Sequence, residues 1–155
     1  MIEQLKNIEA LIKRSIPVTA ATAFQLQAYE NGKLTMLCPM QENANHHGSM
    51  FGGSLAMMSI VAGYGLAFAL MESRYGAQWE AEFLLVIQNF HIDYEKPIVT
   101  DAELTAALEG KAEVFLTTLD EVGKAAMAVV MTVDDGDVRQ LQARANYVIR
   151  RRLRR

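Results

Sequence analysis

The chain holds one segment in which residue types that do chemistry are crowded together: Asn45-His46-His47-Gly48-Ser49-Met50-Phe51-Gly52-Gly53-Ser54. Histidine titrates near neutrality, so His47 can act as a general base without extreme tuning. Asn45 and Ser49 can orient a water or a carbonyl group, and the same side chains can equally satisfy the backbone of their own loop. Gly52, Gly53 and Ser54 stand where an apolar helix begins. Backbone N–H groups there are free, and the helix dipole favours a developing oxyanion. Glycine also lets a ligand approach the backbone closely. That combination suits attack of water on an acyl carbonyl. His46 reads as a surface residue. The adjacent histidines have no further ligand at metal-site spacing, so no metal is expected.

The elements around this loop follow from hydropathy patterning. Ile2, Leu5, Ile8, Ile12 and Ile16 share one stripe of an amphipathic helix over residues 2–16, which Pro17 ends. Phe24, Leu26 and Ala28 alternate with polar residues. Asn31-Gly32 then marks a tight hairpin turn, and residues 33–38 return as a second strand. Residues 40–53 lack apolar periodicity and read as a loop, with Ser54 as the cap of the next helix.

That helix, about 54–73, is apolar on nearly every side and must be wrapped on most faces. By length it could span a membrane, but the strand-like sequence on either side fits a buried core helix better. Gly63 and Gly65 weaken it and mark places where something packs close to the backbone. Strands follow at 84–95, 102–109, 124–133 and 138–150, with a short helix over 113–122. Phe90, Ile92 and Tyr94 share one face of their strand; Asn89, His91 and Asp93 share the other. One long apolar helix and five or six antiparallel strands, each with one apolar face, are both satisfied if the sheet curls around the helix.

This order of elements is similar to a hotdog fold, an α+β architecture. The segment 45–54 resembles the thioesterases of the YiiD C-terminal-domain family. The strand Phe90-His91-Ile92-Asp93-Tyr94-Glu95-Lys96-Pro97 resembles the Pro-ended third strand of hotdog thioesterases. The resemblance covers roughly residues 20–150. It implies hydrolysis of an acyl thioester carried by coenzyme A or acyl carrier protein, with no cofactor beyond the coenzyme A of the substrate. It also implies a homodimer or homotetramer with sites between subunits. Many relatives carry an Asp or Glu in the first turns of the central helix, and residues 54–71 here contain none.

On this reading Asn45 and His47 position or activate water, and Asp93 of a partner subunit supplies the missing acid. Ser49, Phe51, Gly52, Gly53, Ser54 and Tyr64 contact the substrate. Tyr64 and the methionines suit either core or acyl groove. A non-catalytic acyl-thioester binder and a hotdog dehydratase are the rival readings.

The bulk numbers agree with one domain over residues 1–150 followed by a basic tail at 151–155. Net charge is −3, and without Arg150, Arg151, Arg152, Arg154 and Arg155 the body holds 10 cations against 18 acids. Such an acidic body argues against a nucleic-acid surface. The arginines would either meet coenzyme A phosphates or fray into solvent. One cysteine, Cys38, excludes an internal disulfide. It suits the cytoplasm, as does a start that lacks a signal-peptide pattern.

Overall fold

The computed structural model describes residues 1–153. Helix α1 (Ile2–Ser15) leads through a 3₁₀ segment (Pro17–Thr22) to strands β1 (Gln25–Glu30) and β2 (Lys33–Cys38). A short helix α2 (Met40–Asn43) and a loop then precede the central helix α3 (Gly52–Tyr75). Strands β3 (Phe83–Tyr94) and β4 (Ala102–Glu109), helix α4 (Ala112–Val122), and strands β5 (Lys124–Asp135) and β6 (Val138–Arg151) complete the chain. The six strands form one sheet in the order β1-β2-β4-β5-β6-β3, with every pair antiparallel. The curved sheet holds α3 against its inner face, which is the hotdog arrangement.

Alternation dictates which face is inner. Leu34, Met36, Leu104, Ala106, Val129, Met131, Leu141, Ala143, Ala145, Tyr147 and Ile149 are all buried. Their neighbours in sequence point the other way. The small residues in this set leave room for a helix that is itself large on every side. Although α3 is long and apolar enough to cross a membrane, most of it is buried in protein. Both helix glycines mark close approaches. A Cβ on Gly63 would lie 2.1 Å from the Tyr147 hydroxyl oxygen, and one on Gly65 would lie 2.9 Å from Leu34 Cδ2. In the β1–β2 turn Asn31 and Gly32 have φ of 51° and 72°, the left-handed pair that a two-residue hairpin needs.

The two sheet edges differ. On the β1 side, α1 buries Leu5, Ile8 and Ile12, and the Glu9 carboxylate accepts the Leu26 N–H at 2.9 Å. That bond lies where the β1–β2 register shifts between Leu26 and Ala28. On the other side β3 pairs only with β6. It carries a bulge between Ile87 and Asn89, and its inner-face residues Leu85, Ile87, Phe90 and Ile92 are half-buried.

Three expectations need correction. The 40–53 segment is not all loop, since α2 occupies Met40–Asn43. Ser54 does not cap α3: the helix starts at Gly52, its N-cap is Phe51, and no side chain caps it. Arg151 and Arg152 are not frayed. Arg151 ends β6 with its guanidinium over the Phe83 ring, and Arg152 donates from Nε to the Glu80 carbonyl oxygen at 2.9 Å. Arg154 and Arg155 lie outside the described residues.

Candidate active site

The start of α3 is fixed from both sides. The Phe51 N–H donates to the Asn43 carbonyl oxygen at 2.7 Å, and the Met50 N–H to the Ile98 carbonyl oxygen at 2.8 Å. Asn43 is itself buried. Its Nδ2 donates to the carbonyl oxygens of Thr22 and Pro39, both at 2.8 Å. This residue was missed in the sequence, where nothing separates it from other loop asparagines.

Between these anchors the chain makes a tight turn organised by Asn45. Its Oδ1 accepts the N–H groups of His47 at 2.8 Å and Ser49 at 3.2 Å. Its Nδ2 donates to Ser49 Oγ at 2.9 Å, and the backbone N–H of Asn45 donates to the Ser49 carbonyl oxygen at 2.7 Å. Asn45 is thus a staple of the loop, with both ends of its side-chain amide bonded within the turn. His47 is exposed, with its ring centroid 3.8 Å from that of His46.

The structure therefore keeps Asn45 and His47 in one turn but does not bring Asp93 to them. Asp93 pairs in register with exposed Gln142 and projects from the outer face of the sheet, beside His91 at 3.1 Å. Among the described residues no group of three His, Cys, Asp or Glu side chains could hold a metal ion.

The donors at the amino end of α3 are available. Among the described residues the N–H groups of Gly52, Gly53 and Ser54 have no hydrogen-bond acceptor in the protein; the first bond of the helix runs from Leu55 N–H to Phe51 O. Phe51 leans over this turn: a Cβ on Gly53 would lie 2.4 Å from its Cε1.

Beside the turn opens a pocket of about 310 Å³, walled by Ser49, Met50, Gly52 and Leu55 on one side and by Tyr94, Glu95, Lys96, Pro97 and Ile98 on the other. The Tyr94 hydroxyl donates to the Gly52 carbonyl oxygen at 2.7 Å. Partial burial pushes its pKa up, which keeps the hydroxyl a donor. Period-two patterning already placed Tyr94 on the inner face, but only the fold shows what it meets.

Glu95 is the one acidic residue among those lining this pocket. The N–H groups of Glu95 and Lys96 both donate to the Gln140 carbonyl oxygen, at 2.9 and 3.1 Å. This bends the chain out of the strand as β3 ends.

Tyr64 sits farther along α3, half-buried and edge-on to Tyr147 with centroids 5.3 Å apart. Burial pushes its pKa up, against a smaller opposing effect of the Ile87 backbone.

A central helix wrapped by a curled sheet, with free donors at its amino end and a pocket beside its first residue, is the arrangement of the hotdog thioesterase class. The chain belongs to the family described as "Putative thioesterase (yiiD_Cterm)", whose model matches residues 5–151. Its fold is that of a "putative thioesterase" from Shewanella oneidensis, with a TM-score of 0.81 at 21% identity over 96% of this chain and 98% of the other. A protein from Pseudomonas aeruginosa described as "Probable Thioesterase" gives 0.75 at 20% identity over 95% of each chain. A protein of unknown function from Chlorobaculum tepidum gives 0.77 at 14% identity, over 95% of this chain and 94% of that one.

Proposed function

We propose that the protein hydrolyses acyl thioesters of coenzyme A or acyl carrier protein. The observation that carries this reading is the set of three unpartnered N–H groups, at Gly52, Gly53 and Ser54, the first of which belongs to a residue lining the pocket. A thioester carbonyl oxygen seated there gains hydrogen bonds and the helix field as it becomes an oxyanion. Glu95 is the acid on the pocket wall, and it takes the proton from the attacking water. The tetrahedral intermediate then collapses, the C–S bond breaks, and the thiolate leaves and recovers that proton. Asn45 serves as a positioning residue that fixes Ser49 at the pocket edge. His47 and Asp93 stand outside the pocket in one protomer and would act only across a subunit boundary.

The working unit is a homodimer. The β1 edge is covered by α1, whereas β3 offers a free edge and a half-buried apolar inner face. Pairing β3 with its copy across a two-fold axis removes that edge and extends the sheet. Pairs of such dimers would give the homotetramer. A buried, unpaired Cys38 fits a cytoplasmic setting.

The substitution Gly52→Pro tests the oxyanion site. Gly52 is the first helical residue, where proline is tolerated, and Phe51 before it is already extended, at φ −64° and ψ 130°. The change removes one donor and leaves the helix intact. Wild-type protein should hydrolyse members of an acyl-CoA panel, and the variant should lose about 10²–10³ in kcat with its melting temperature retained. An absence of turnover across the panel refutes the reading.

One observation favours a second reading: residues 43–71 hold no acid at all. A non-catalytic binder would show acyl-CoA-dependent thermal stabilisation without product.

A further inference from the structure

Between the carboxyl end of α1 and the start of β3 lies a second concavity, of about 230 Å³. Its walls are apolar, built from Ile12 and Ile16 of the α1 end, Tyr64 and Phe68 of α3, and Phe83 and Leu85 of β3. Glu80 and Arg152 form its rim, and the Arg152 guanidinium is tied to the Glu80 carbonyl oxygen. The slot and the candidate active site both border α3, the slot at Tyr64 and Phe68 and the site at Gly52 and Leu55. Met57, Ile60 and Tyr64 are half-buried apolar residues of α3, at spacings of three and four that align them on one face. With Gly53 they make one stripe of the helix, and its far member, Tyr64, lines the slot. At about 1.5 Å per residue, Tyr64 lies about 17 Å along the axis from Gly53.

We infer that this slot is the terminus of the acyl-binding track and that the α1 end, chiefly Ile16, sets the longest chain accepted. The inference rests on the proposed thioester site at the other end of the track. It assigns the substrate class as straight-chain acyl thioesters of medium to long chain, because an acetyl or butanoyl group seated at Gly53 stops far short of Tyr64. The charged groups of Glu80 and Arg152 at the rim oppose entry of further methylene groups, since an apolar chain passing between them strips their water and offers no replacement bond. Ile16 is a suitable gauge. Its backbone is held by the N–H bond to Ile12 O at 2.8 Å and by the Thr19 hydroxyl at 2.7 Å, while its side chain is only half-buried.

The test compares wild type with Ile16→Ala, Ile16→Trp and Ser15→Trp, the last also lining the slot from the end of α1. Two readouts are taken on a series from butanoyl-CoA to palmitoyl-CoA. The first is kcat/KM. The second is affinity for the matching non-hydrolysable thioether analogues. The tryptophan variants should lower the ratio of long-chain to short-chain kcat/KM and affinity about tenfold, and Ile16→Ala should move the optimum to longer chains. Using two filling positions guards against one variant that fails to fold. Graded, residue-16-dependent binding without turnover supports the slot and overturns the hydrolase reading alone. Turnover or binding whose chain-length profile is the same in all four proteins overturns the slot, as does affinity independent of chain length.

Discussion

The Tyr147 hydroxyl donates to the Ile60 carbonyl oxygen at 2.8 Å, and its ring fills the space beside Gly63 that a side chain would need. In an exposed helix Gly→Ala stabilises by about 1 kcal/mol. Here the sign reverses, because the Cβ would fall 2.1 Å from the phenol oxygen and 2.4 Å from Cζ of a fully buried ring. Gly63→Ala should therefore destabilise by about 1–3 kcal/mol, the cost of overpacking. Urea denaturation reads this, and a midpoint at or above wild type would contradict the close approach.

Glu9 matters for a different reason. Its carboxylate satisfies the Leu26 N–H at a strand edge and also pairs with Lys13. Glu9→Ala leaves that N–H without its acceptor, at a cost of about 1–3 kcal/mol, and uncovers the β1 edge. Size-exclusion chromatography with light scattering should show concentration-dependent association beyond the wild-type state. An unchanged profile together with unchanged stability would mean that α1 protects the edge without this bond.

Much of this architecture is legible before any coordinates. The central helix betrays itself because it is apolar all round. Asn31-Gly32 demands a hairpin, and Gly63 and Gly65 demand close neighbours. The site was harder to read, and the reasons are local. Asp93 and Glu95 share strand parity, so periodicity gives them the same outward face. The two hydrogen bonds from Glu95 N–H and Lys96 N–H to Gln140 O end that periodicity, and Glu95 lines the pocket. Asn45 carries the right functional groups for catalysis, but its own turn engages them, the backbone at Oδ1 and the Ser49 hydroxyl at Nδ2. The choice of Gly52 over Ser54 as the helix start depends on the anchors of Phe51 and Met50 on distant chain segments. No window of sequence contains those anchors.

All five tyrosines, Tyr29, Tyr64, Tyr75, Tyr94 and Tyr147, have pKa values raised by burial. Tyr75 is pushed up to about 12 by desolvation first, then by its hydrogen bond to Asp120. The folded state therefore keeps protons that the unfolded chain releases from its ordinary tyrosine pKa of 10.0 upward. The stabilisation is complete below that value and is lost as pH rises through the folded values. Alkaline titration followed by tyrosinate absorbance should show delayed ionisation that coincides with loss of helical circular dichroism. Ionisation of all five at the ordinary value, with the fold retained, would be inconsistent with the burial described.

Glu95 and Tyr94 divide the remaining chemistry at the pocket, and their substitutions should be distinguishable. Glu95→Gln keeps the size of the side chain and removes the proton acceptor. As general base catalysis contributes about 10²–10⁴-fold, kcat should fall by that order. KM should change little. Tyr94→Phe removes the donor to Gly52 O without touching an N–H of the helix start. Its effect should be positional: a drop of about tenfold or less in kcat/KM, and a stability loss of about 1 kcal/mol at most. Steady-state kinetics on the best acyl-CoA of the panel separates the two by the size of the fall in kcat. If Glu95→Gln retained wild-type kcat, the base would lie elsewhere, and His47 reaching across a subunit boundary would be the next residue to replace.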